Sequence, residues 1–349
     1  MRTTRPTLCA AATLVLFLLN SLASGSGFAD FPVCQRAGAQ QNPSVSGNLV
    51  VWTDWRNDSG MWTNSDIYAK DLATGVEFPV CTSPGIQQQP RVSGNTIVWE
   101  DWRNDPGNWT NCDIYGYNRI AATEFPISVQ SLNQRYPAIS QSIVVWEDNN
   151  SDIRGKNIAT GDLLAICTLP AYASGPAISG NFVVWHDERN GNADIYGKNL
   201  ITGDEIPICL NTGRQSHPTI SGNVVVWEDY RGATGADIYA YNIAQGTEFL
   251  VASFPNDQNW AEISGDIVVW EDGRNGPGDV YARNLVTGAG FAVCDSSAYQ
   301  WNPAICGDLV VWTDMRNGNA DIYGAYVPEP ATLSLLALGG VLLLRRRKK

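Results

Sequence analysis

The chain has 349 residues, 44% of them hydrophobic and 17% charged, and its 35 acids outnumber 23 Lys and Arg. Two basic residues fall in the first 25 positions and five in the last five, leaving 16 against 34 acids and a net charge near −18 between the ends once Glu329 is also set aside. That excess argues against nucleic acid as a partner, and the apolar share excludes a disordered chain.

Arg2 and Arg5 precede an apolar run from Leu8 to Leu19, followed by the small residues Ser21, Ala23 and Gly25. Residues 1–25 therefore read as a secretory signal peptide. From residue 31 the chain becomes a repeat. Seven Trp-x-Asp units stand at Trp52/Asp54, Trp99/Asp101, Trp146/Asp148, Trp185/Asp187, Trp227/Asp229, Trp270/Asp272 and Trp312/Asp314, each followed by a second Asp that opens an Asp-Ile-Tyr-like triplet. The Trp spacings of 47, 47, 39, 42, 43 and 42 residues are those of propeller blades.

Within a copy, short β-branched and aromatic runs alternate with turn signals and read as strands. Copy four gives strand a at Pro176–Ser179, b at Phe182–His186, c at Asp194–Asn199 and d at Glu205–Cys209. Copy seven reaches Tyr326 and then Pro328 with no strand d, while Phe31-Pro32-Val33-Cys34 matches Phe78-Pro79-Val80-Cys81, strand d of copy one. The expectation is an all-β, seven-bladed propeller over 31–326 with four-stranded antiparallel blades, its last blade completed by the N-terminal strand. Cys34, Cys81, Cys167, Cys209 and Cys294 share one strand d position. Equivalent points on separate blades lie too far apart for disulfides, so these read as small buried hydrophobes; Cys112 and Cys306 fall elsewhere.

The chain ends with Val327-Pro328-Glu329-Pro330, an apolar stretch from Ala331 to Leu344 and the basic tip Arg345 to Lys349. Fourteen apolar residues span about 21 Å as helix, short of a bilayer's ~30 Å core, and suit a transient sorting anchor.

The string Trp-x-Asp-x-Arg-Asn-Gly-Asn-x-Asp-Ile-Tyr, clearest at 185–196 and 312–323, resembles the WD-like propeller repeats of the TolB type. That family includes binding scaffolds, peptidase domains and polysaccharide-degrading enzymes, so the resemblance implies a fold more than a function. Residues 327–349 look like a PEP-CTERM sorting signal, with Pro328, Glu329 and Pro330 as its motif. This implies an exosortase-type partner, export to the envelope or surface of a Gram-negative bacterium, and at least transient anchoring in the inner membrane.

Six hairpins place an Arg two residues after the first Asp (Arg56, Arg103, Arg189, Arg231, Arg274 and Arg316), expected to bridge both Asp and hold the hairpin shut. The rival, calcium, lacks a third acid and a closing Glu; no metal or other cofactor is expected. Function is then sought where copies differ. Copies one and two separate their Asp pairs by 12 residues against 7 or 8 in copies four to seven, and these insertions bring Trp62 and Trp109 beside Trp55 and Trp102, flat indoles suited to sugar rings or a protein partner. The d-to-a links carry a Gln before strand a in six copies, together with Tyr136, His217, Trp260 and Trp301 as further ligand candidates. His186 and His217 are the only histidines, and neither a Gly-x-Ser-x-Gly elbow nor a sialidase-type Asp box is present. The resulting expectation is a non-catalytic surface propeller that binds polysaccharide or a surface protein, with a polysaccharide lyase or hydrolase and a purely structural matrix protein as alternatives.

Overall fold

The computed structural model describes residues 28–327, except 59, 106, 108, 109, 150, 170, 234 and 277. The leader and the sorting tail, both expected from sequence, lie outside them, as does Trp109. The described residues contain no helix; they form 28 strands in seven antiparallel four-stranded sheets. Each sheet is one blade, its strands a to d running outward from a central channel. Blade one is Gln40–Ser46, Leu49–Asp54, Asp66–Asp71 and Val76–Cys81, and the other blades repeat it. Blade seven has Gln300–Cys306, Leu309–Asp314 and Asp321–Tyr326, and its strand d is Asp30–Cys34, which pairs antiparallel with strand c through Asp30↔Ala325 and Pro32↔Tyr323. The N-terminal strand thus closes the ring and no blade is left with three strands.

Strand a starts earlier than the apolar run indicates. In blade four it is Ala173–Ser179 rather than Pro176–Ser179. A bulge after the second residue of every strand a shifts its register against strand b, as between Ser174 and Ala177. That break in alternation hides the strand's first half from a period-two reading. The six link Gln are therefore the first residues of strand a, fully buried rather than ahead of it; the Gln40 amide, for example, donates to the Gly38 carbonyl at 2.8 Å.

Between blades lies a repeated polar knot inside an apolar wall. Seven strand b Trp are buried to 2% exposure or less, each packed with Val and Ile of the adjoining blade. In blade four Asp187 accepts the Trp185 indole N–H at 3.3 Å, the Arg189 backbone N–H at 2.8 Å and a bidentate Arg189 guanidinium at 2.9 and 2.7 Å. A buried carboxylate is tolerable only when so fully satisfied. The Arg does not bridge the two Asp as expected. Arg189 stacks over the Tyr196 ring at 3.9 Å and reaches Glu205 of strand d at 2.5 Å, while Asn190 donates to both the second Asp, Asp194, and the Tyr196 hydroxyl. The Arg spans both carboxylates only if the hairpin is read in isolation; strand d supplies a closer acid.

The same guanidinium touches the thiol of the preceding blade, Arg231 Nη2 to Cys209 Sγ at 3.3 Å. All seven described cysteines are free. Burial pushes the Cys34 and Cys81 thiols up to about 12, so they stay protonated. Blade three, whose hairpin is shortest, lacks the hairpin Arg; Arg154 occupies the strand c position of the stacking Tyr and pairs with Asp148 at 2.7 Å.

The a–b turns close a second ring. Six times a strand a Ser accepts the N–H of the next blade's turn residue at 2.9–3.0 Å, from Gly94 to Ser46 through Gly307 to Ser264. Cys306 takes the Ser role in blade seven, accepting from Gly47 at 3.2 Å.

Candidate functional site

The third residue of each strand a sits at the bulge, and in all seven blades its backbone is left-handed: Asn42, Gln89, Tyr136, Gly175, His217, Trp260 and Asn302 have φ between 48° and 60°. Six of these are not glycine, in a region disfavoured for side-chain-bearing residues. The strain is offset by what the bulge permits: the side chain turns toward the channel instead of into the sheet. All seven line one central cavity of about 410 Å³, shared by every blade.

Beneath this ring lies a tier of strand b residues. The Tyr136 N–H donates to Glu100 of the preceding blade at 2.6 Å, and Trp260 N–H to Glu228 at 2.8 Å. The Glu147 carboxylate accepts the Ser174 hydroxyl. Burial raises Glu100, Glu147 and Glu271 above the usual carboxylate range, against the lowering pull of these donors.

Blades four to six hold the most chemistry. His217 Nδ1 lies 2.9 Å from Glu228 Oε2, its ring 4.5 Å from the Trp260 ring and 6.3 Å from that of His186. The two histidines, distant in sequence, are thus neighbours. Burial, with His217 and Arg214 beside it, lowers His186 to about 3, so it is neutral. Its Nδ1 has no hydrogen-bond partner and faces Gly175, where an added Cβ would stand 3.2 Å away. The missing side chain at Gly175 leaves a notch in the ring with an imidazole at its back. Tyr230 and Tyr299 set their hydroxyls toward Glu228 (3.5 Å) and Glu271 (2.7 Å); burial, with Glu228 close by, pushes Tyr230 up to about 12.

The structure divides the sequence candidates. Tyr136 and Trp260 are exposed on the channel mouth at 42% and 45%, and His217 lines it with them. Trp301 stacks on Tyr299 at 4.9 Å and is only partly exposed. Trp62, exposed at 56%, meets Trp55 edge-on at 4.8 Å. Trp102 offers no surface to a ligand, because Ile86 before strand a and Cys112 before strand c bury it in a small apolar cluster. Arg135 joins the two groups, its guanidinium 5.7 Å from the Trp102 ring and 5.6 Å from the Tyr136 ring. One face therefore carries two exposed aromatic groups, Trp62 with Trp55 at the blade-one hairpin and Tyr136 with Trp260 at the channel mouth, separated at the surface by the buried Trp102.

From sequence, His186 stood only as one of two histidines and the tier Glu only as neighbours of the strand b Asp, both set aside, while Gly175 and Tyr299 were not singled out. A partial signal was there: in Gln-x-x-Pro, as in Gln134-Arg135-Tyr136-Pro137 and Gln215-Ser216-His217-Pro218, the Gln and the Pro each recur in six copies while the two residues between them vary. Among the described residues no group of three or more His, Cys, Asp or Glu has the arrangement of a metal site.

Residues 327–348 match the model of the PEP-CTERM protein-sorting motif, which indicates export, membrane-associated sorting and recognition by an exosortase-type enzyme. No curated protein sequence matches the chain significantly. Among solved structures it is similar to the β-propeller domain of the Trilobed protease from Pyrococcus furiosus (TM-score 0.64, 11% identity, 82% of this chain and 93% of that one). It is also similar to oligogalacturonate lyase from Vibrio parahaemolyticus (0.63, 15%, 87% and 97%) and to TolB from Acinetobacter baumannii (0.50, 14%, 69% and 62%). At these identities the likeness is one of fold, a seven-bladed propeller of TolB-type repeats.

Proposed function

We propose that this exported propeller binds extracellular polysaccharide, without chemistry of its own, on the face that carries Trp62 at the blade-one hairpin and Tyr136 with Trp260 at the channel mouth. The observation that carries the reading is the contrast at strand a: six blades keep Gln at its first residue, yet the channel-facing third residue changes from Asn to Tyr, Gly, His and Trp. Residues that only closed the ring would have no reason to differ. Indole and phenol faces stack on the apolar faces of pyranose rings, and the buried carboxylates with the two imidazoles supply acceptors for hydroxyl groups. The chain's acidic excess, near −18 between its ends, disfavours polyanionic uronate chains, so a neutral glycan fits best.

A second reading has its own observation. His217 held by Glu228, with Tyr230 beside them, has the geometry of a base and its orienting acid, and one of the fold relatives is an oligogalacturonate lyase. Incubation with neutral, amino-sugar and uronate polysaccharides separates the readings. Retention of a neutral glycan, weakened at least tenfold by Tyr136→Ala with Trp260→Ala, supports binding. New reducing or unsaturated ends overturn it in favour of an enzyme; no retention of any glycan leaves a protein partner or a structural role.

A further inference from the structure

Strand order fixes which face the chain leaves from. Strand c of blade seven runs from Asp321, level with the b–c hairpins, to Tyr326, level with the a–b turns, where Val327 N–H binds the Asp308 carbonyl at 2.8 Å. The described chain therefore ends on the face opposite Trp62 and the channel mouth. Only Pro328, Glu329 and Pro330 separate Val327 from the apolar stretch that begins at Ala331, and three extended residues reach about 10 Å. The N-terminal strand also enters from this side, since Asp30 pairs with Ala325.

We propose that the a–b/c–d face is a lipid-apposed surface, held against the bilayer while the tail is inserted, with the channel mouth directed away from the membrane. The tether is too short for any other face to meet the lipid. The rim agrees: six of the seven blades expose one large apolar side chain there, Val76, Ile120, Leu163, Ile201, Val286 and Tyr326, at or beside the c–d turns and, in blade seven, at the exit point. Such residues enter the interfacial region at little cost. Asp162, Asp204, Asp266 and Asp308 are exposed on the same side, so apposition draws on the tether and the apolar rim and not on anionic headgroups. This inference stands apart from the glycan reading.

The test uses the full chain in phosphatidylcholine vesicles containing a shallow nitroxide lipid. A nitrobenzoxadiazole label is placed at Ile201→Cys or, on the opposite face, at Trp62→Cys, with unlabelled-site background taken from the parent chain. Quenching at 201 should exceed that at 62 at least threefold, and adding Ile120→Glu with Val286→Glu should cut the 201 signal at least twofold. Equal quenching at both sites, stronger quenching at 62, no vesicle association, or no response to the two Glu substitutions would each overturn the proposal.

Discussion

The b–c hairpins and the channel ring are built by the same 28 strands, yet they treat repetition oppositely. At the hairpins six blades keep Trp, Asp, Arg and a stacking aromatic, and blade three, where the Arg is lost, recovers the contact with Arg154 from strand c. At the ring the backbone repeats in all seven blades while its side chains do not. What repeats and is repaired when lost serves stability; what varies on a repeated backbone is free to serve recognition.

The largest effect that would sharpen this contrast comes from removing the closing strand. A chain beginning at Gln41 loses Asp30–Cys34 and leaves an open edge on blade seven. It should lose its cooperative thermal transition or aggregate, and an unchanged melting curve would contradict closure by the N-terminus. Next comes the hairpin knot. Trp185→Ala should cost about 3 to 5 kcal/mol in denaturant unfolding as a large buried side chain. Asp187→Ala should cost about 2 to 4 kcal/mol, because it leaves the buried indole N–H unpaired and Arg189 with only the exposed Glu205 as a carboxylate partner. Burial pushes Asp187 up, but the Arg189 and Trp185 hydrogen bonds outweigh it and hold its carboxyl below the usual range. Its stabilising contribution is therefore present at neutral pH and lost on acidification through that lowered value.

His186 gives a smaller, pH-dependent effect. An unfolded imidazole titrates near 6.5 and the folded one at about 3, so between those values the unfolded chain takes up a proton that the folded chain does not. Stability should fall with decreasing pH in that window, by up to ~1.4 kcal/mol per unit. The slope difference between wild type and His186→Gln in urea titrations at pH 4 to 7 measures it; identical slopes would place His186 outside the buried tier. Smallest is Trp62→Ala, an exposed loop residue, which should change unfolding by no more than about 0.5 kcal/mol.

The repeated half of this contrast was largely legible. The blade count, the closing strand, bounds of strands c and d, and burial of the strand d cysteines follow from motifs recurring at one period. The Arg's second partner was not, because Glu205 lies 16 residues on and only the blade's own pairing brings it to Arg189. Cys306 escaped for a different reason: its kinship to Ser46, Ser93 and the other turn acceptors shows only once the interblade bonds are drawn. The ring was hardest. Tyr136, His217 and Trp260 could be named as variable link residues near the channel mouth, but the bulge that breaks alternation hid that they are third residues of strand a on a left-handed backbone, and His186 could not be brought to His217.

The most direct test is a paired measurement on Tyr136→Ala with Trp260→Ala: thermal unfolding, and retention on whichever immobilised neutral polysaccharide holds the wild-type chain. Melting should stay close to that of the wild type while retention weakens at least tenfold, since each stacked ring is worth roughly 1 to 3 kcal/mol by analogy with base stacking. If the double variant melts as poorly as Trp185→Ala, or binds as well as wild type, the ring is part of the scaffold and its division from the hairpins is wrong.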